Sequence, residues 1–291
     1  MQSGRHGKTT VGILAVIREE FEAVKLALSA DVRHPRSRYF HAADGHGRFV
    51  LGMMADRGNV AAGEATRDLF EYWRPDIVML VGIAGALSSG DAGLGDVVIP
   101  DYVHYGDFRK ITEAGDALRF AAYDQPTVSL RTDTVEGLRY EAGWTDRIAE
   151  PRPQRRDGDP GGDVAGVPQV EVGGLVAGEK VLGDPDHPEQ ERVFVSFDNA
   201  IAVDMESFGV ARAVHHQRVA ADYNPRLTIV RGVSDIVERR LGGEDEPEPP
   251  KGGMTPVEFN SEQRTRWKRY AAATAAAFAA AVVEELTDDV D

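Results

Sequence analysis

The sequence predicts an α/β fold: one domain built on a central mixed, mostly parallel sheet flanked by helices. Short, continuously apolar runs bounded by turn residues read as strands buried on both faces. Helical stretches of ten residues or more separate them, and strands that alternate with helices favour parallel pairing. No internal repeat or linker divides the 291 residues, a length that one large domain accommodates.

The strands expected are Val11–Ile17, Phe49–Met54, Ile77–Gly82, Asp96–Pro100 and Leu227–Val230. The helices expected are Glu19–Ser29, Val60–Trp73, Met205–His216 and Ser261–Leu286. From Val97 to Val181 the pattern is less regular and leaves room for added antiparallel strands. Residues 1–10 read as a flexible tail. Arg5 and Lys8 precede an apolar run there, but Arg18, Glu19 and Glu20 follow it and no small-residue cleavage site closes it. Residues 11–291 form the domain, with loop insertions near 151–166 and 242–253 too polar to offset their ordering entropy. The last helix closes it, with Trp267, Tyr270 and Phe278 among its packing residues. Its alanine-rich run Ala271–Val283 is shorter than the roughly 18 apolar residues a bilayer demands.

Composition removes several classes of function. With 33 basic against 48 acidic residues the net charge is -15, which repels nucleic acids and anionic membranes alike. The absence of cysteine excludes disulfides, thiolate catalysis and cysteine-based metal sites, and fits a reducing cytoplasm. Neighbouring His215 and His216 point about 100° apart on a helix and do not share an ion. Asp184–His187 lacks a second ligand cluster, so no metal is expected. Lys180, Arg109 and Lys110 read as solvated surface charges, and Tyr105 and Phe108 as either stacking residues or ordinary core.

In an open parallel sheet, ligands gather at the carboxyl edge of the strands. Val11–Ile17 runs into Arg18-Glu19-Glu20, Ile77–Val81 into Gly82-Ile83-Ala84-Gly85, and Leu227–Val230 into Arg231-Gly232-Val233-Ser234-Asp235. Upstream of the last, Asp204-Met205-Glu206-Ser207 sets another acid at the mouth of a helix. Each alone has an ordinary explanation. Acids favour the first turn of a helix through its dipole, and paired glycines make tight turns. Their order and spacing together are more specific.

The segments VGILAVIREEFEAV (11–24), GNVAAGEAT (58–66), PDIVMLVGIAGAL (75–87), LGDVVIP (94–100), VAGEKV (176–181), AIAVDMES (200–207) and IVRGVSD (229–235) carry a resemblance. The chain resembles the nucleoside phosphorylase and nucleosidase superfamily. It is most similar to the methylthioadenosine/S-adenosylhomocysteine nucleosidases and related defence-associated nucleosidase domains. The resemblance implies a nucleoside phosphorylase-like fold and hydrolysis of the N-glycosidic bond of a purine, adenine foremost, in a nucleoside or nucleotide. It implies that Asp235 donates a proton to the departing base, Glu206 steadies the cationic sugar, and Glu20 orients the attacking water with help from Arg231. Met205 then packs on the ribose, backbone groups at Val181 and Leu182 read the base, and Ile83, Ala84, Gly85 and Ser234 complete the pocket. No cofactor is implied, and a homodimer or higher homo-oligomer is.

Two alternatives stand beside this reading: a phosphorylase that attacks with phosphate, and a module that senses a nucleotide without cleaving it. Phosphate needs cations and hydroxyls around it. Here Glu19 and Glu20 follow the first strand, and Leu80-Val81-Gly82-Ile83 lacks the arginine and serine of the resembling phosphorylases. Water is therefore the expected nucleophile. Ile83 also stands where the methylthioadenosine enzymes usually place serine, which leaves the 5′ substituent open.

Overall fold

The computed structural model describes residues 9–35, 37–42, 48–113, 115–118, 123–154, 166–220, 223–239 and 253–287. Residues 1–8 of the expected tail and most of both expected insertions lie outside these residues, while Thr10 is tied to Asp76 by its amide and hydroxyl at 2.8 and 2.9 Å. Strand β1 (Val11–Ala15) is buried along its whole length between β4 (Phe49–Met53) and β5 (Ile77–Leu87), both parallel to it. Successive strand residues point to opposite faces, and two cores result. Leu14 joins Leu80, Leu69 of α2 (Asn59–Tyr72) and Val210 of α5 (Ser207–Ala220). Ile13 joins Met79, Val24 of α1 (Arg18–Ala27) and Phe278 of α6 (Pro256–Thr287). The sheet thus lies between two helix pairs, α2 with α5 and α1 with α6.

Beyond β5 the sheet continues through β12 (Arg226–Val237), β6 (Val97–Tyr105), β10 (Val170–Ala177) and β11 (Ala200–Asp204). β11 then turns back onto β5, pairing antiparallel at Ala202↔Ala86 and Val203↔Gly85. Five strands therefore close into a ring, while β4, β3 (Tyr39–His41) and β2 (Val32–Arg33) extend an open edge. The irregular region does carry antiparallel pairing. β9 (Tyr123–Asp124) lies on β6, and β7 (Arg109–Thr112) with β8 (Gly115–Leu118) makes a hairpin. The short helices α3 (Glu136–Arg139) and α4 (Pro188–Ser196) precede and follow β10 in the chain.

Three expected strand ends are corrected. β6 does not stop at Pro100 but runs on to Tyr105. β5 does not stop at Gly82 nor β12 at Val230; they run on side by side to Leu87 and Val237, with Arg231 opposite Gly82. The glycines and charged residues concealed the strands because the apolar pattern breaks there, yet those charges are paired inside the protein. A shift in register between Val233 and Asp235 leaves Ser234 as a bulge that re-aims the next side chain.

Helix α6 starts at Pro256, ahead of the expected Ser261, for a local reason. Thr255 Oγ1 accepts a bond from the Glu258 amide at 3.2 Å, and the Glu258 carboxylate accepts from the Thr255 amide at 2.8 Å. That reciprocal cap fixes the start, with proline in the first turn. The helix lies directly on β12 at Gly232, where a Cβ would overlap the Ala271 carbonyl oxygen and sit 2.6 Å from its carbon. Gly232→Ala is expected to lower stability by about 2 kcal/mol in urea unfolding, by overpacking. An unchanged midpoint would contradict this seating. Among the described residues no helix is long and apolar enough to cross a membrane.

Candidate active site

A cavity of about 250 Å³ opens where the ends of β1, β5, β10, β11 and β12 converge. Glu20, Ile83, Ala84 and Gly85 line it from the β1 and β5 side, and Val181 and Leu182 from the loop after β10. Met205 and Glu206 enter from the end of β11, and Ser234 and Asp235 from the bulge of β12. The three acids expected from the sequence are thus brought to one pocket. Arg231 does not reach its wall; it lies fully buried beneath it.

Glu20 holds both readings of its position. As the third residue of α1 it accepts from the amides of Val16 and Ile17 at 2.8 and 3.0 Å, tying down the helix start. Its other oxygen accepts from the Ile83 amide of β5 at 2.8 Å. Burial pushes its pKa up, against the pull of Arg231 and the three amides. A raised carboxylate is a better base toward water.

The expected contact between Arg231 and Glu20 is corrected in its details. Arg231 Nη2 bonds to Asp204 and lies 3.5 Å from Glu206 Oε2, while Glu20 is held by backbone amides. Arg231 and Glu20 still share a space above Gly82, where a Cβ would overlap Arg231 Nη1 and sit 2.6 Å from Glu20 Oε1. Three carboxylates therefore face one guanidinium. Asp204 has a task that its motif alone does not reveal. It accepts from the amides of Glu206 and Ser207 at 3.3 and 3.2 Å and from the Ser207 hydroxyl, so it caps α5 while it anchors Arg231. Aspartate three residues before a helical serine is the signal that was available.

Glu206 accepts from the Gly58 amide at 3.0 Å. Burial raises its pKa from 4.5 to about 7; Arg231 opposes the rise and Asp204 adds to it. Between those values the folded protein holds a proton that the unfolded chain has released, so stability falls as pH rises through the window. The wild-type melting temperature is expected to drop between pH 5 and pH 8 by more than that of Glu206→Gln. Equal slopes in calorimetry would contradict the shift.

Asp235 is as buried as any acid among the described residues, 1% exposed, and both its oxygens are occupied. Oδ1 accepts from the Ser234 hydroxyl at 2.6 Å and from Arg264 Nε at 3.0 Å. Oδ2 accepts from Arg264 Nη2 at 2.8 Å and Asn260 Nδ2 at 3.2 Å. Asn260 and Arg264 are functional neighbours that no sequence motif marks. Their i, i+4 spacing on α6 put them on one face, but nothing in the sequence said which strand that face would meet. The neighbouring Gln263 supports the same junction by accepting from the Ile236 amide at 2.7 Å.

The residues read as ordinary structure mostly are. Arg109 is a correction: it is not a solvated surface charge but a mostly buried one, held by both oxygens of Glu189 at 2.9 and 2.6 Å. Tyr105 stacks on Phe208 at 4.7 Å, and Trp267 and Tyr270 are buried. Lys180 differs: it pairs with Asp107 yet also lines the cavity.

The sequence profile of the phosphorylase superfamily matches residues 10–284, and the chain belongs to that superfamily. A 5′-methylthioadenosine/S-adenosylhomocysteine nucleosidase of Staphylococcus aureus (strain bovine RF122 / ET3-1) is 25% identical over 237 residues, 78% of this chain and 86% of the relative. Among solved structures, the corresponding nucleosidase of Colwellia psychrerythraea 34H in complex with adenine has a TM-score of 0.67 at 17% identity and covers 98% of both chains. The enzyme of Neisseria meningitidis with methylthio-immucillin-A has a TM-score of 0.63 at 20% identity, covering 95% of this chain and 99% of its own. Futalosine hydrolase of Helicobacter pylori also aligns, at 0.63 and 15% identity over 95% and 98%.

Proposed function

We propose that the protein hydrolyses the N-glycosidic bond of a purine nucleoside or nucleotide, adenine foremost, and releases the free base. The convergence of Glu20, Glu206 and Asp235 on one cavity carries the reading. Asp235 passes a proton to N7 as the bond between C1′ and N9 breaks. Glu206, adjoining the ribose hydroxyls, offsets the positive charge on the sugar. Glu20 takes a proton from the water whose oxygen bonds to C1′. Met205 packs on the ribose, the backbone at Val181 and Leu182 meets the base edge, and Ser234 orients Asp235. The chemistry uses only acids and water and calls for no cofactor. The reading includes a homo-oligomeric assembly and a cytoplasmic location, and the lack of cysteine suits the latter.

Water is favoured over phosphate by one feature of the site. The amides of Val16, Ile17 and Ile83 are the donors that would cradle an oxyanion, and all three are given to Glu20. A carboxylate in that cradle repels phosphate and accepts from water.

The test is release of free base from methylthioadenosine, adenosylhomocysteine, adenosine, inosine, AMP and ATP, followed by chromatography without and then with added phosphate. Release without phosphate is expected. Release only with phosphate would make the protein a phosphorylase, and no release under either condition would favour a sensor.

A further inference from the structure

The acid that must protonate the base is locked by its hydrogen-bond partners. Arg264 grips both oxygens of Asp235 through Nε and Nη2, and Asn260 and Ser234 take the remaining directions. No oxygen is left to present a proton to a purine. Guanidinium does not deprotonate, so the lock opens only if Arg264 moves. The two partners are placed unequally for such a movement. Asp235 is 1% exposed and fixed to a strand, whereas the Arg264 side chain is 31% exposed and rises from a helix on the cavity wall.

An uncharged substrate offers the departing guanidinium nothing in exchange for its ion pair. An anionic group does, in the forked geometry that guanidinium prefers. The surroundings agree. In a protein of net charge -15, Arg57, Lys180 and Lys268 line the same cavity as Arg264. Lys180 is held by Asp107 and Lys268 by Glu19 at 2.6 Å. Arg57 is exposed and, among the described residues, has no carboxylate in ion-pair reach. It adjoins Gly58, whose amide holds the sugar-side acid Glu206.

We propose that Arg264 determines substrate choice: it locks Asp235 until an anionic, phosphate-class group on the substrate draws it away, so the preferred substrate is a purine nucleoside monophosphate. Arg264 is then a positioning residue that acts through Asp235, and Arg57 adds to the field that receives the phosphate. The inference rests on the hydrolase reading above. The phosphate meant here belongs to the substrate and is distinct from an attacking phosphate, whose cradle Glu20 fills.

Base release is measured from AMP, adenosine and methylthioadenosine with wild type, Arg264→Met and Arg57→Ala. Wild type is expected to favour AMP over adenosine in kcat/KM by at least about tenfold, the scale of one charge-assisted contact. Arg264→Met is expected to erase most of that ratio, raising KM for AMP while kcat for adenosine holds or increases. Arg57→Ala narrows it less. Equal use of AMP and adenosine by wild type overturns the proposal, as does an equal loss on both substrates in Arg264→Met. Arg264→Lys serves if the methionine variant does not fold, since it keeps the charge and loses the fork; it is expected to weaken the AMP preference, and an unchanged preference overturns the proposal. Should no compound release base, the hydrolase reading fails instead. The lock is then read by calorimetric binding of AMP, expected to weaken about tenfold in Arg264→Met and overturned by equal affinity.

Discussion

Asp235→Asn is expected to lower kcat for base release by two to four orders of magnitude, roughly the span that general acid catalysis contributes. The amide fills the same space and keeps an acceptor for the Ser234 hydroxyl, now 2.6 Å from Oδ1. It has no acidic proton for N7. Adenosine makes its other contacts elsewhere on the wall, so its KM is expected to stay within about threefold, a difference below 1 kcal/mol. The position is not empty of structure: Asn260 and Arg264 lose a carboxylate partner, and Arg264 is free to turn to the rim. Single-turnover kinetics with bound substrate separates the chemical step from this rearrangement. A kcat within tenfold of wild type would remove Asp235 from the proton path.

Arg231→Met is expected to give the largest stability loss, about 3 to 5 kcal/mol, the cost of stranding buried charge. The side chain is completely buried, and Asp204, Glu206 and Glu20 all count on its charge. Two of those acids have raised pKa values even with the guanidinium in place, through burial above all. Without it they hold protons still more tightly than in the unfolded chain, so stability falls further as pH rises. The loss in urea unfolding is therefore expected to be greater at pH 8 than at pH 5, where protonation relieves the unpaired charges. Equal losses at both pH values would mean that Arg231 acts by packing alone.

The legible parts of the protein were those where one residue's neighbours in sequence are also its neighbours in space. β1, β4 and the first half of β5 showed as apolar runs because both their faces are covered by helices. The long last helix showed for the same reason. β11 did not, although its residues were in view, because Ala200–Asp204 is a five-residue run ending in an acid. Its strand character comes from pairing with β10 and β5, segments distant in sequence. The second halves of β5 and β12 were concealed by their own function: Gly82 is bare to admit Arg231 and Glu20, and the charged residues opposite are satisfied only in the folded state.

The site divides the same way. Glu20, Glu206, Asp235 and the wall residues came from motifs at strand ends, and the fold gathers them into one cavity. What the motifs could not reveal was how each acid is held. Arg231 turned out to belong to Asp204, and Asp235 to a helix that follows it by some 25 residues, across a segment outside the described residues. Both are long-range ion pairs, whose partners are chosen by tertiary packing and leave no periodic trace in the chain.

The ring formed by β5, β12, β6, β10 and β11 bears on how the protein breathes. A strand in a closed ring cannot detach its hydrogen bonds from one side, because both of its edges are occupied. Amides of Val230–Val233 and Leu80–Ala84 should therefore exchange with deuterium only when the whole domain opens, whereas those of β2 and β3 exchange by local fraying. Two of the acids, Asp235 and Asp204, are carried on ring strands. Their spacing is then as durable as the folded state itself, and movement during turnover falls to the side chains and loops that surround them.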